Sequence, residues 1–162
     1  MPTDVVTLPA VAESVPDARR FIRRCLIEFD AEGAVDDAET LVSELATNAV
    51  LHAKTDFTIA VSRTNGTIHV RVHDLSAVLP RERHYGPDAT TGRGIRLIAA
   101  LALLWGVEPE GQGKAVWFEL DAGGSSALTP GWDDATVDVD ALLDSYDDGK
   151  QDPQAGVRAM AA

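Results

Sequence analysis

The sequence predicts a domain that mixes α-helices with antiparallel strands, on three observations. An amphipathic helix stands near the start, an Asn-Gly hairpin carries apolar side chains on one face only, and an apolar helix follows a glycine-rich loop. A sheet with one apolar face needs a layer to cover it, and the helices supply that layer.

The elements follow in order. "VVTL" (5–8) reads as a short strand ended by Pro9. In "VPDARRFIRRCLIEF", Phe21, Ile22, Cys25, Leu26 and Phe29 line one helical face while Arg19, Arg20, Arg23 and Arg24 occupy the other. The arginines are either a solvated face or a basic patch for an acidic partner. A second helix spans 36–53, where Leu41, Val42, Leu45 and Ala49 face inward and Glu44 and Asn48 lie four residues apart beside them. At about 100° per residue this pair falls between Leu51 and the Leu41 and Leu45 side, and His52 continues its row. The pair thus interrupts an apolar arc. Glu44 is either solvated at a helix edge or faces a group that compensates a buried carboxylate.

"FTIAVSRT" and "TIHVRVHD" flank Asn65-Gly66, which predicts a two-residue hairpin and fixes its register. Phe57 then opposes Asp74, Ile59 opposes Val72, Val61 opposes Val70 and Thr64 opposes Thr67, with the apolar side chains on one face. Asp74 ends that apolar row, as a turn residue capping the following loop or as the floor of a pocket. His69 and His73 project to the other face about 13 Å apart, too far to share a metal, and read as surface residues.

"LPRERHYGPDATTGRG" reads as a polar, glycine-rich loop feeding "IRLIAALALLWG", a helix apolar almost all round and therefore expected to be buried. Gly92 and Gly94 permit close backbone approach, and the helix N-terminus beyond them offers N–H groups to phosphate oxygens. "VEPEGQGKAVWFEL" closes the domain as strand, tight turn and strand, with Val116, Phe118 and Leu120 inward.

Composition bounds the function. The chain has 162 residues, 45% of them hydrophobic, and one cysteine, Cys25, which excludes an internal disulfide framework and fits a small core residue. A formal net charge of -12 argues against general affinity for nucleic acid or an anionic membrane. No apolar run approaches the roughly 20 residues of a membrane span, and "MPTDVVTLPAVAES" lacks the features of a signal peptide, so a cytoplasmic protein is expected. Residues 121–162 hold nine aspartates against Lys150 and Arg158. This predicts a domain over 1–120 and a mobile acidic tail over 121–162, within which "VDVDALLDSY" has the pattern of a short amphipathic turn.

Together, inward Glu44 and Asn48, inward Asp74 and the Gly92-x-Gly94 loop describe a site for magnesium and nucleotide. Asn48 offers an oxygen to the metal, Asp74 accepts from an exocyclic base amine, and the glycine loop holds phosphates. From Val5 to Leu120 the sequence resembles the Bergerat-fold or GHKL ATPases, and within them the small bacterial anti-sigma-factor serine kinases. "SELATNAVLHA" resembles the N box, "VRVHDLS" the adenine-binding box, "TTGRGIRLI" the lid and second glycine box, and "GKAVWFEL" the closing strand. The resemblance implies a two-layer α/β sandwich whose mostly antiparallel sheet is covered on one face by helices. It implies ATP and Mg²⁺ as cofactors, with Glu44 polarising the nucleophile, Asn48 ligating Mg²⁺ and Asp74 binding the adenine amino group. Thr91, Gly92, Arg93 and Gly94 would contact phosphates. The implied partners are a sigma factor, a serine-bearing antagonist of the STAS type, or both, with room for a homodimer.

The sequence departs from the family pattern where the adenine box reads "DLSAV", with Ser76 and Val78 in place of glycines, and where Ala115 stands near a customary threonine. Weak nucleotide binding would follow. The functional expectation is a partner-switching protein-serine kinase, with a catalytically weak, nucleotide-dependent binding module as the alternative. A histidine-kinase catalytic domain fits less well.

Overall fold

The computed structural model describes residues 3–76 and 91–124, with backbone alone for 91–95. Its elements are β1 (Thr3–Leu8), α1 (Ser14–Glu28), α2 (Val35–Asn48), β2 (Phe57–Thr64), β3 (Thr67–Asp74), α3 (Thr91–Leu101), β4 (Leu104–Glu110) and β5 (Gly113–Asp121). The strands form one antiparallel sheet in the order β1-β2-β3-β5-β4. The helices pack on one face, α1 against β1 and β2, α2 against β3, and α3 against β4. This is the expected α/β two-layer sandwich.

The Asn-Gly turn sets the register. Asn65 at φ 49° and Gly66 at φ 83° supply the two positive dihedrals of the tight turn, and Thr64 pairs with Thr67, Val61 with Val70, Ile59 with Val72 and Phe57 with Asp74. Period-two alternation then sorts the covered face into rows across all five strands. Val6, Ile59, Val72, Val116 and Val107 form one, and Asp4, Val61, Val70, Phe118 and Trp105 the next. Phe118, Ile59, Val61, Val70 and Ile68 are fully buried beneath Ile22, Leu26, Leu41 and Val42 of the helices. Each such side chain contributes about 1.5–3 kcal/mol by leaving water, before the entropy of ordering is set against it. Arg63 shares the covered face beside Ile68 because its guanidinium donates to the carbonyl of Phe29, the C-cap of α1. Beyond that cap the chain turns with Asp30 at φ 50°, its N–H on Ile27 and that of Ala31 on Leu26.

Two expectations change. The apolar run after Gly94 is not one helix through residue 106: α3 already starts at Thr91, ends at Leu101, and Leu104–Gly106 join β4. Periodicity cannot separate strand from helix in such a run, and pairing of Leu104 with Glu119 and Trp105 with Phe118 decides it. Nor is α3 buried all round. Ile98 is fully buried, but Arg96 and Ala100 face solvent, and among the described residues α3 packs chiefly on α2 and on the edge strand β4. The described chain continues past Leu120 to residue 124. Ala122 donates to Gly66, and Gly33 meets Gly123 and Gly124 so closely that a Cβ there would lie 2.2 Å from the Gly123 oxygen. The remainder of the acidic tail, from 125, lies outside the described residues.

On the uncovered sheet face His69 stacks on Trp117 at 5.6 Å between centroids, and the Trp117 ring lies over Gly106. Arg71 reaches across β5 to Glu108 at 2.8 Å and Glu110 at 2.7 Å. His69 is therefore half-buried rather than fully a surface residue, whereas it does sit on the face opposite the core as expected. No helix among the described residues is long and apolar enough to cross a membrane.

Gly33→Ala is expected to cost roughly 1–3 kcal/mol of unfolding free energy, because backbone rather than a flexible side chain meets the new methyl group. Urea unfolding beside an exposed control, Glu32→Ala, measures it. A second prediction concerns His69, whose pKa is lowered chiefly by burial, with Glu119 opposing and Arg71 adding to the shift. As pH falls through the ordinary value of 6.5 the unfolded chain takes up this proton before the folded one, so stability is lost below pH 6.5. His69→Gln should cost stability at pH 7.5 and cost less at pH 5.5, read from thermal melts.

Candidate functional site

The covered face changes character at one end. There the cross-strand row runs Leu8, Phe57, Asp74, Lys114, Pro109, so a carboxylate and an ammonium close an otherwise apolar set. Asp74 is 8% exposed, and Lys114 Nζ donates to its Oδ1 at 3.0 Å. The Ser76 N–H donates to the same oxygen at 2.8 Å. Asp74 is thus a turn cap, as one of its two expected readings has it, and a buried, charge-compensated carboxylate as well. Strand β5 approaches unusually closely here, since a Cβ on Gly113 would lie 1.9 Å from the Asp74 carbonyl oxygen. Only glycine permits that contact.

Glu44 and Asn48 sit on α2, both half-buried, with Leu41, Leu45 and Ala49 buried on one flank. Leu51 on the other flank is 52% exposed, so the pair lies at the rim of the apolar arc and does not interrupt it. After Asn48 the helix widens into a π-type turn over Ala49–Ala53, which ends with Lys54 in the left-handed region at φ 54°. Such turns shift the side chains that follow, moving His52 off the strict α-helical row, and they occur frequently at functional sites. Thr55 then accepts from the Leu75 N–H at 3.2 Å, tying the exit of this turn to the chain just after Asp74. The end of α2 and the end of β3 therefore meet at the same edge of the molecule.

Helix α3 completes the arrangement. Ala102 and Leu103 alone connect it to β4, whose start pairs with Glu119 far from Asp74. At 1.5 Å per residue its 11 residues span about 16 Å, enough to carry its N-terminus back along the sheet toward the Asp74 end. Thr91, Gly92, Arg93 and Gly94 form the first turn rather than a preceding loop, and the first four N–H groups of a helix lack intrahelical acceptors. Those four residues are the ones singled out for phosphate. Their side chains, Val78 and the lid expected from about Arg81 to Thr91, apart from the Thr91 backbone, lie outside the described residues.

A model of the histidine kinase-like ATPase domain matches residues 8–120. The chain belongs to this family. No curated protein matches it significantly. The family is the coarse form of the expected resemblance: a GHKL-type ATP-binding domain on a five-strand antiparallel sheet with helices. Such a domain binds ATP. Asp74 closes the apolar row, and half-buried Glu44 and Asn48 share a helix rim. Among the described residues no group of three His, Cys, Asp or Glu side chains is placed to hold a metal ion.

Sequence reasoning missed Lys114. Alternation in "GKAVWFEL" places Lys114 in phase with inward Val116, and pairing puts it opposite Asp74, while Ala115 pairs with His73 on the uncovered face. The arginine patch on α1 is also weaker than its sequence suggests. Arg20 pairs with Asp17, Arg23 bidentately with Glu39, and Arg24 with Glu28, leaving Arg19 as an exposed cation outside these pairs. Cys25 is buried as expected, its thiol pushed up to about 11 by burial first and by Asp4 second, so it stays a neutral core residue.

Lys114→Ala leaves Asp74 uncompensated and is expected to cost about 2 kcal/mol or more, the partial exposure of the pair reducing the cost of a fully buried one. Asp74→Asn with Lys114→Ala should recover part of that loss. A double-mutant cycle by denaturant unfolding measures the coupling.

Proposed function

We propose that the chain is an ATP-dependent switch kinase: it binds a sigma factor, or transfers phosphate from ATP to a serine of a small STAS-type antagonist, and so controls transcription. The observation that carries the nucleotide reading is the buried carboxylate of Asp74, held at the end of an apolar row where a base would enter. The serine kinase and its partners rest on the resemblance of "SELATNAVLHA", "VRVHDLS" and "TTGRGIRLI" to the anti-sigma kinases.

Phosphoryl transfer demands positioning and charge neutralisation more than covalent chemistry from the protein. ATP would supply the γ-phosphoryl group, its bond to the β-phosphate oxygen breaking as the serine oxygen bonds to phosphorus and ADP leaves, and Mg²⁺ would neutralise the phosphates. Asp74 orients the base by accepting from its exocyclic amine. Asn48 would give its side-chain oxygen to the metal, and the first-turn N–H groups of Thr91, Gly92, Arg93 and Gly94 would hold phosphate oxygens. Glu44, at the half-buried rim of α2, takes the proton of the attacking serine hydroxyl.

A second reading, a nucleotide-dependent binding module without turnover, is favoured by one observation. Asp74 Oδ1 already carries two donors, Lys114 and the Ser76 N–H, so an incoming amine meets a carboxylate that is partly satisfied. Under this reading the protein sequesters its partner and never phosphorylates it.

Calorimetry with ATP and Mg²⁺ should show binding that Asp74→Asn abolishes while the protein still folds, its melting temperature lowered by loss of the Lys114 ion pair; equal affinities would remove Asp74 from the site. Glu44→Ala should keep ATP affinity but lose phosphate transfer to the antagonist, and Asn48→Ala should weaken the Mg²⁺ dependence of binding. Full kinase activity in Glu44→Ala would assign Glu44 to a solvated helix edge, and no transfer by the wild-type protein would select the binding module.

A further inference from the structure

Asp74 does not meet a ligand alone. Lys114 stands directly across from it on the covered face, with a side chain 13% exposed and Nζ 3.0 Å from Oδ1. Resting on the ATP reading above, we propose that Lys114 is a second base-reading residue, donating from its ammonium to a ring nitrogen of adenine while Asp74 accepts from the neighbouring exocyclic amine.

Donor counting supports this. A lysine ammonium has three N–H donors and no acceptor, and one of the three is spent on Asp74 Oδ1. Adenine presents its amine as a donor flanked by ring nitrogens that only accept. A carboxylate beside an ammonium is the complement of that edge. A carboxylate alone would leave a ring nitrogen desolvated without a donor, which costs affinity. Position supports it as well. Of the three β5 residues at this end, Gly113 has no side chain and Ala115 lies on the opposite face, so Lys114 is the one able to reach the base. Its ion pair already restrains the long side chain, so little rotamer freedom is lost when the base arrives. The competing role is purely structural, the neutralising of a buried carboxylate. That role makes no distinction between one purine ring and another.

Calorimetry on the wild-type protein with Mg²⁺ and ATP, 1-deaza-ATP or 7-deaza-ATP tests the inference without any substitution. The expected result is a loss of roughly 10- to 100-fold in affinity for one of the two deaza analogues, whichever lacks the nitrogen that Lys114 meets. Lys114→Gln keeps a donor for Asp74 and so protects the fold, whereas Lys114→Met removes every donor. Lys114→Met should bind ATP roughly 10- to 100-fold more weakly and treat ATP and the deaza analogues alike, while melting curves report any separate loss of stability. Wild-type protein that binds ATP and both analogues equally would overturn the inference and leave the ATP reading standing. So would Lys114→Met that still discriminates among them. Absence of ATP binding by the wild-type protein would overturn the ATP reading, and this inference with it.

Discussion

The close pairing of β3 with β5 is the constraint on which the rest of the structure depends. Gly113 admits the Asp74 carbonyl to a distance that no Cβ would tolerate, and with that approach fixed, Lys114 stands opposite Asp74. One residue of slip would exchange Lys114 for Ala115 and turn every inward side chain of β5 out of the core. Burial of Val116, Phe118 and Leu120 therefore holds the Asp74–Lys114 pair in place. The ion pair itself adds little net stability once its desolvation is counted. Apolar packing fixes the register, and the register composes the polar end of the covered face.

The same logic explains where the polar residues of the site lie relative to the core. Asp74 terminates an apolar row, Glu44 and Asn48 border an apolar stripe on α2, and Thr91–Gly94 open a helix whose inner anchor is Ile98. Asp74, Glu44 and Asn48 each adjoin a residue that is almost wholly buried, Phe57, Leu41 and Ala49. Groups in that position gain the lower dielectric of the interior without the full cost of burial. They are held by packing they do not themselves provide.

Much of this was legible in the sequence because its signals were local. Asn65-Gly66 specifies a turn of fixed length, and from that alone Phe57 must oppose Asp74. Spacing alone likewise identifies the buried face of α1. Signals failed where the outcome was set by contacts distant in the chain. "IRLIAALALLWG" is apolar enough for a helix or a buried strand, and only Glu119 and Phe118, over a dozen residues on, draw Leu104 and Trp105 into β4. Lys114 escaped notice because its partner is 40 residues away, though its phase with Val116 was readable. The exposure of Leu51 and the π-type turn after Asn48 were invisible, since an ideal 3.6-residue repeat contains neither.

Charge tells a related story. Four arginines on one helical face suggest a basic patch, yet Asp17, Glu28 and Glu39 stand within reach of three of them. Two of these acids follow from helical spacing, Asp17 three residues before Arg20 and Glu28 four after Arg24, while Glu39 arrives only when α2 packs on α1. Any acidic partner must then displace existing carboxylates, and its attraction to this face is screened further by salt. The arginines serve the helix pair first. By contrast, Lys114 is partly withdrawn from solvent beside a single carboxylate, and an added donor or acceptor there changes the balance sharply. On a chain as acidic as this one, the cation that matters most for the candidate site is the half-buried one the fold places opposite Asp74, and not the exposed four that the sequence displays.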